Sequence, residues 1–436
     1  SSSKSYHIIK VYIVMIDFKT KYPVNLWKDH GIYTDDYIKL INSHWLKFVP
    51  PHPMSHYTLG LLYTVIMVFG CTGNSLVIFM YFKSKALQTP ANTLIINLAI
   101  SDFIMLAKAS IFIYNSYYLG PALGKLGCQI CGFLGGLTGT VSIMTLAAIS
   151  LDRYYVIVHP LKVAVKTTKQ RAKIWIGLIW ICGFSFSIVP VLNLGYSRYV
   201  SEGYLTSCSF DYLSNDDKDK QFILVFFVVA WCIPFTIILY CYIKILMAVW
   251  MTTDIVISRV GQQEEKRKTD IRLGYMVIGA LMLWLVSWTP YAVVALMGVF
   301  NLKEYISPLG SMIPALFCKA ASCMDPWFYA ITHPKFKKEM MKLLTKSKTK
   351  KLYRNYGMKK GWIGSHLNEN GNIAFDNHFK TGYNEVKKTI FALESDDNNL
   401  QCSESTFDHK TESFNESETK FSESVNQEGL KYILSN

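Results

Sequence analysis

Charged residues are scarce in this chain, and their scarcity excludes most soluble folds. Only 17% of the residues are charged, against roughly 25% in a typical soluble domain, while 51% are hydrophobic. Cysteine and histidine at zinc-ligand spacing are lacking, and so are a nucleophile–base pair for an enzyme and the broken-helix repeats of a transporter. No folded basic domain carries the net charge of +14, which argues against nucleic acid as a partner.

What the chain does contain is apolar runs long enough to cross a bilayer, which needs about 20 residues. There are seven, at 57–82, 91–117, 127–157, 171–194, 221–250, 271–300 and 305–332. They predict an all-α membrane protein whose seven-helix transmembrane bundle covers 56–333. The predicted bundle leaves an arm at 1–55, of which residues 1–43 match no motif.

The basic residues predict how the bundle is oriented. They lie in alternate connections, for example Lys83, Lys169 and Arg267, and the segment 335–360 on the same side is strongly basic. Because basic connections stay cytoplasmic, the arm is predicted to be extracellular and the C-terminus cytoplasmic. The same charge favours anionic membrane lipid as a partner.

The residues after the last span fall into two parts. Apolar residues at roughly helical spacing among many lysines predict a short membrane-surface helix at 334–346. Residues 347–436 then become rich in serine, threonine and acidic side chains. They predict a disordered cytoplasmic tail, either simply solvated or a substrate for phosphorylation.

Two of the ten cysteines are predicted to form a disulfide. Cys128 begins the third span and Cys208 lies in the second outside connection. Both face the oxidising side of the membrane, where disulfides persist.

One lysine is out of place in an apolar run. Lys319 lies within the seventh span, where a charged ammonium costs roughly 2.5–3.5 kcal/mol on insertion scales. A buried charge at such a cost is a functional hypothesis by default, and the amine can avoid the cost by condensing with an aldehyde.

The spans also carry an ordered set of short motifs. They are Gly73-Asn74, Leu98-Ala99-Ile100-Ser101-Asp102, Asp152-Arg153-Tyr154, Trp180 with Pro190, Pro234 with Tyr242, Trp288-Thr289-Pro290-Tyr291 and Asp325-Pro326-Trp327-Phe328-Tyr329. The set resembles the rhodopsin-like G-protein-coupled receptors over 56–346. Lys319 precedes the last motif by six residues, as does the retinal-bearing lysine of opsins. The resemblance implies a light receptor that binds 11-cis-retinal or 3-hydroxyretinal through a Schiff base.

The tripeptide His333-Pro334-Lys335 is similar to that of arthropod rhabdomeric opsins. That resemblance implies a Gq-type G protein, together with arrestin and a receptor kinase acting on the tail. It also implies a location in the plasma membrane, which in photoreceptor cells is the rhabdomere membrane. A non-visual opsin, or a chemoreceptor that carries Lys319 by chance, stays open as an alternative.

Resemblance also suggests how the chromophore is tuned. Glu202 is similar to the loop glutamate that serves as counterion in invertebrate opsins, whereas Cys131 stands where vertebrate visual opsins place a glutamate. Lys108 is similar to a lysine of insect ultraviolet opsins. A second ammonium about 5 Å from the Schiff base costs about 3.3 kcal/mol at an effective dielectric constant of 20, which disfavours its protonation. Ultraviolet absorption is therefore expected, unless Lys108 is neutral or paired with a distant acid.

Further roles follow from the same resemblance. Trp288 and Tyr291 are expected to line the chromophore, and Gly139 to leave room for it. The residues expected to switch the G-protein end are Asp152, Arg153, Tyr154, Tyr242, Asp270, Tyr329 and the tripeptide His333, Pro334 and Lys335. Asn74, Asp102 and Asp325 are expected to form a buried polar cluster.

Overall fold

The protein is described by a computed structural model that covers residues 15–159, 167–253, 262–332 and 336–342. Two short helices come first, α1 (15–21) and α2 (Val24–His30). The bundle helices are α3 (Pro53–Lys83), α4 (Pro90–Ala107), α5 (Ala109–Tyr117), α6 (Gly124–Val158), α7 (Lys169–Ile188), α8 (Asp217–Phe227), α9 (Ile233–Thr253), α10 (Gln262–Val299) and α11 (Pro308–Thr332). A last helix, α12, covers 336–342.

Local sequence explains where several bundle helices begin. Pro53 and Pro90 occupy first-turn positions, where the missing N–H costs no hydrogen bond. The Thr89, Thr168 and Asp216 side chains accept hydrogen bonds from backbone N–H groups of the first turns of α4, α7 and α8. Each of these starts is therefore readable from the sequence.

Six segments of the described chain are long and apolar enough to cross a membrane. They are Pro53–Lys83, Pro90–Tyr117, Gly124–Val158, Lys169–Ile188, Asp217–Ala248 and Met282–Val299. The seventh, α11, is 25 residues long and carries the ionisable side chains of Lys319 and Asp325 within its length. It packs against α3, α4 and α10, so it closes the bundle between the first and sixth spans.

Three spans differ from their predicted form. The second span divides into α4 and α5 at Lys108. The fourth span ends at Ile188 instead of residue 194. Pro190 follows two residues later, and its ring does not fit a continuing helix. In the fifth, a π-helical turn at Val228–Cys232 separates α8 from α9. Pro234 follows that turn, and its missing N–H and bulky ring explain why the regular hydrogen-bond ladder is interrupted there.

The α6 helix occupies the centre of the bundle. It contacts α4, α7, α9 and α10, and its side chains form a continuous core with theirs. Val141 and Leu146 of α6 are buried against residues such as Leu98 and Ile238. This core fixes the central helix on which both ends of the molecule are built.

A β-hairpin covers one end of the bundle, which we call the disulfide end. Strands β1 (Tyr199–Ser201) and β2 (Cys208–Phe210) pair antiparallel, with Ser201 opposite Cys208. Cys208 is bonded to Cys128 at the start of α6, with a Cα–Cα distance of 5.2 Å. The predicted disulfide is therefore confirmed, and it ties the hairpin to the central helix.

The arm is folded from residue 15 onward, although no motif in the sequence predicted structure there. Trp27 is fully buried, and its ring packs against Phe18 and Tyr33. The indole N–H of Trp27 donates to the Tyr118 carbonyl at 2.7 Å. Aromatic side chains thus give this short segment a core that it shares with the disulfide end.

A partly buried ion pair also stabilises this end. The Arg198 Nε lies 2.9 Å from Asp211 Oδ2, and Asn42 Nδ2 donates to Asp211 Oδ1 at 3.3 Å. The Asp211 side chain is fully buried whereas that of Arg198 is half exposed. Burial raises the pKa of Asp211 despite the neighbouring guanidinium and amide.

We expect Arg198→Gln to lower the free energy of unfolding by about 2 kcal/mol at neutral pH, since it removes a charged hydrogen-bond donor from a buried carboxylate. A carboxyl with a raised pKa binds its proton more tightly in the folded chain than in the unfolded one. Part of the loss should therefore return as the pH falls through that raised pKa. Denaturant unfolding at neutral and acidic pH measures both effects, with the exposed Lys125→Gln as control. An equal loss at both pH values would contradict this account.

Candidate functional site

Lys319 lies inside the bundle on α11 and is only 7% exposed. Its ammonium donates to the Ala315 carbonyl one turn back at 2.6 Å. The same nitrogen lies 4.8 Å from the ring centroid of Phe112 and 5.8 Å from that of Tyr63. Within the described residues no carboxylate pairs with it. The amine is thus buried among aromatic rings, where a primary amine is available to condense with an aldehyde.

Lys108 places a second ammonium beside the first. It is also 7% exposed, and its nitrogen lies 3.4 Å from the Cys131 carbonyl and 5.7 Å from the Phe112 ring centroid. Both lysines therefore share one aromatic ring. Gly135 makes room for this arrangement, because a Cβ there would lie 2.5 Å from the Lys108 nitrogen.

Glu202, which directly follows β1, is buried and accepts four hydrogen bonds from hydroxyl groups. Ser209 and Tyr291 donate to Oε1 at 2.9 Å each, Tyr212 donates to the same oxygen at 3.3 Å, and Ser207 donates to Oε2 at 3.1 Å. Neutral hydroxyls thus solvate this carboxylate, and no lysine or arginine of the described chain forms an ion pair with it.

Two of the residues predicted to contact the chromophore, Gly139 and Trp288, pack against each other. A Cβ on Gly139 would lie 2.7 Å from the Trp288 ring, so the glycine of α6 leaves room for that indole of α10. Trp288 also stacks on Trp284 with ring centroids 5.9 Å apart. Tyr291, three residues further along α10, reaches Glu202 as described above. One helix therefore carries both an aromatic wall and a hydroxyl bound to the buried acid.

The opposite end of the bundle holds the Arg153 motif. Arg153 pairs with Asp152, with Nε 3.0 Å from Oδ2, and both side chains are largely buried. The Tyr154 hydroxyl lies 3.2 Å from His159 Nε2, and Tyr242 is buried in the core. The side chains of Asp270 and Tyr329, and the whole tripeptide His333, Pro334 and Lys335, lie outside the described residues.

The expected polar cluster comes together between α3, α4 and α11. Asn74 Nδ2 donates to the Gly70 and Ser322 carbonyls at 3.0 and 3.1 Å. Asp102 accepts a hydrogen bond from Ser142 at 2.9 Å and lies next to Asp325, which is also buried. The three side chains are therefore buried where α3, α4 and α11 pack together.

Comparison with known proteins gives the family. The family model of the 7 transmembrane receptor (rhodopsin family) matches residues 73–329. The chain is 40% identical over 316 residues to the ultraviolet-sensitive opsin of Apis mellifera, covering 70% of this chain and 84% of that opsin. It is 37% identical to Opsin-2 of Manduca sexta over 71% of this chain and 84% of the relative. This chain belongs to the opsins of the rhodopsin family.

A solved structure supports the same placement of this opsin. The crystal structure of squid rhodopsin matches with a TM-score of 0.64 and 31% identity, over 79% of this chain and 95% of that one. The predicted seven-helix rhodopsin-like fold is therefore confirmed. The protein is a multi-pass membrane receptor that senses light, and not an enzyme.

Membership of the opsins implies a retinal chromophore and a heterotrimeric G protein as partner. The residues present fit an aldehyde chromophore, since Lys319 offers a buried primary amine and Trp288 and Tyr291 provide aromatic surface from α10. The bonds from Ser207, Ser209 and Tyr212 to Glu202, and the approach of both lysines to the ring of Phe112, were not anticipated from the sequence. The serines could have been suspected, because Ser207 and Ser209 flank Cys208 in the segment that contains the glutamate.

Proposed function

We propose that this opsin binds 11-cis-retinal, or its 3-hydroxy form, through a Schiff base at Lys319 and absorbs in the near ultraviolet. The observation that carries the proposal is the pair of ammonium groups over Phe112. Retinal, when bound, supplies light absorption and a change of shape on isomerisation. The residues that surround it tune its absorption and transmit the change of shape to the helices.

The charges around Lys319 favour an unprotonated linkage. A like charge nearby disfavours a second positive charge, and the effect is stronger inside a protein than in water. Glu202 is the proposed counterion, yet its two oxygens are bound to four hydroxyl groups. A carboxylate that already accepts four hydrogen bonds gains less free energy from pairing with a cation. Both features shift the balance towards the neutral imine, whose absorption lies at shorter wavelength.

The relatives support the same wavelength class. Identity to the ultraviolet-sensitive opsin of Apis mellifera is 40% over 316 residues, whereas identity to the blue-sensitive opsin of the same species is 33% over the same number of residues. The difference does not depend on Lys108 alone, because it is an average over the whole aligned region.

Movement of α10 is the proposed output. Trp288 packs against Gly139 of the central helix, so any displacement of this indole would push on α10 directly. At the opposite end of the bundle, the ion pair between Asp152 and Arg153 is proposed to hold the inactive arrangement. Release of Arg153, with rearrangement of Tyr242 and Tyr329, opens the G-protein site. Asn74, Asp102 and Asp325 couple the helices between the two ends.

The signalling partner is proposed to be a Gq-type protein, with arrestin and a receptor kinase ending the signal at the tail. The proposed orientation places the disulfide end and the arm outside the cell and the Arg153 end in the cytoplasm. The receptor then lies in the plasma membrane, in photoreceptors the rhabdomere membrane.

The test is an absorption spectrum of the purified opsin regenerated in darkness with 11-cis-retinal. We expect a near-ultraviolet band and, after illumination, nucleotide exchange on a reconstituted Gq-type protein but not in the dark control. A visible band in the wild type would contradict the ultraviolet assignment while leaving the opsin function intact. A folded protein that takes up no retinal would favour a chemosensory receptor instead.

A further inference from the structure

Three contacts from the arm converge on one residue of the hairpin, Ser201. The Tyr37 hydroxyl lies 2.5 Å from the Ser201 hydroxyl oxygen. The Trp45 indole N–H donates to the Ser201 carbonyl at 3.0 Å. Ile41 forms an isolated parallel β-bridge with Ser201. The arm therefore holds the side chain, the carbonyl and the strand edge of this residue together.

Ser201 is the residue immediately before Glu202. Successive side chains of a strand point to opposite faces, so contacts to Ser201 from the arm leave Glu202 directed towards Tyr291 on the other side. The Tyr37 hydroxyl also lies 3.6 Å from the Cys208 sulfur, on the strand opposite. Fixing Ser201 thus fixes the backbone from which the buried acid projects.

The turn that follows needs such support. Leu205 is buried and has a φ of 60°, in the left-handed region that a leucine rarely adopts. Its N–H donates to the Glu202 carbonyl at 2.6 Å, and the Glu202 N–H donates to the Ser207 carbonyl at 3.0 Å. A strained turn persists only where its surroundings hold it, and the arm holds Ser201, the residue from which this turn begins.

The arm also reaches every connection at the disulfide end. Ile32 N–H donates to the Ala122 carbonyl at 2.8 Å between α5 and α6. Asn42 reaches Asp211 after the hairpin, and a ring nitrogen of His44 lies 2.7 Å from the Ile306 carbonyl between α10 and α11. The segment therefore contacts all three connections at this end of the bundle.

We propose that Tyr37 and Trp45 are positioning residues for Glu202, acting through Ser201. The inference rests on the proposed attachment of retinal to Lys319. It assigns the arm a part in the photochemical site. A loosened arm would let Glu202 shift away from Tyr291 and let solutes reach the imine.

The test compares Tyr37→Phe, Trp45→Phe and Ser201→Ala with the wild type by two measurements. The first is the dark reaction with hydroxylamine, which attacks the imine carbon, forms the retinal oxime and releases the Lys319 amine. Loss of one hydrogen bond should raise that rate about fivefold. Because Tyr37 and Ser201 share one hydrogen bond, the double variant should react no faster than Tyr37→Phe alone.

The second measurement is amide hydrogen exchange of residues 199–211 without retinal, which should speed up in the same variants. Tyr33→Phe is the matched control, because the buried Tyr33 hydroxyl has no hydrogen-bond partner within the described chain. The proposal is overturned if Tyr37→Phe matches the control in exchange rate. If the wild type takes up no retinal, the proposed function fails, and hydrogen exchange still decides whether the arm positions Glu202. If one of the three variants does not fold, the other two carry the test.

Discussion

Replacing Lys319 with alanine is expected to abolish covalent retinal binding completely, leaving no pigment band after regeneration. The reason is chemical, because a Schiff base requires a primary amine and alanine has none. The buried site would keep its aromatic walls, so free retinal could still associate weakly. Regeneration with 11-cis-retinal, followed by acid denaturation to show whether retinal stays attached, measures the difference.

The opsin contains two buried lysines over one ring, so loss of the band in a single variant does not locate the bond. Borohydride reduction of the wild-type pigment and mass spectrometry of its peptides should place the retinyl group on Lys319. Finding it on Lys108 would overturn the assignment. Lys303→Ala is the matched control, since that amine bonds to Asn215 at the surface and its loss should leave the pigment unchanged.

Replacing Lys108 with glutamine is expected to move the absorption band from the near ultraviolet into the visible. The change removes one of two positive charges around Phe112 while keeping a polar side chain near the Cys131 carbonyl. Removing a like-charge repulsion of about 3 kcal/mol raises the proton affinity of the imine roughly 100-fold. A spectrum at neutral pH, repeated over a pH series, records both the shift and its titration.

The charge-preserving variant Lys108→Arg separates charge from shape and should keep the ultraviolet band. Its larger head group has little room beside Gly135, so a lower pigment yield is expected with it. A glutamine variant that still absorbs in the ultraviolet would mean that Lys108 is neutral or otherwise compensated. In that case the ultraviolet absorption would be attributed to the hydrogen bonds that hydroxyl groups donate to Glu202, and Tyr291→Phe would be the first variant to measure.

Much of the fold could be predicted because membrane helices leave local signals. Each span needs about 20 apolar residues. The observed starts at Pro53, Pro90 and after Thr168 also carry local sequence signals. The disulfide between Cys128 and Cys208 followed from which side of the membrane each cysteine faces. These features depend on short stretches of chain and on the bilayer, not on remote contacts.

The irregular features were harder to predict. The break at Lys108 and the π-helical turn at Val228–Cys232 lie inside apolar runs that read as continuous helices. Pro234 could have pointed to the second of these. The fold of the arm was not predicted, because Trp27, Tyr37 and Trp45 are buried in a core that the arm forms jointly with the connections it contacts. Aromatic residues in a polar segment indicate that the segment packs against something, but they do not identify the residues that it packs against.

By itself the sequence determined the spans, the disulfide, the family and the presence of two lysines in apolar surroundings. Those properties come from composition, periodicity and motifs, which act over a few turns of helix or are set by the membrane. Only the tertiary structure decided that the two lysines share Phe112, that hydroxyls surround Glu202, and that the arm holds Ser201. These are contacts between residues far apart in the chain, and they exist only once the helices and connections have packed together.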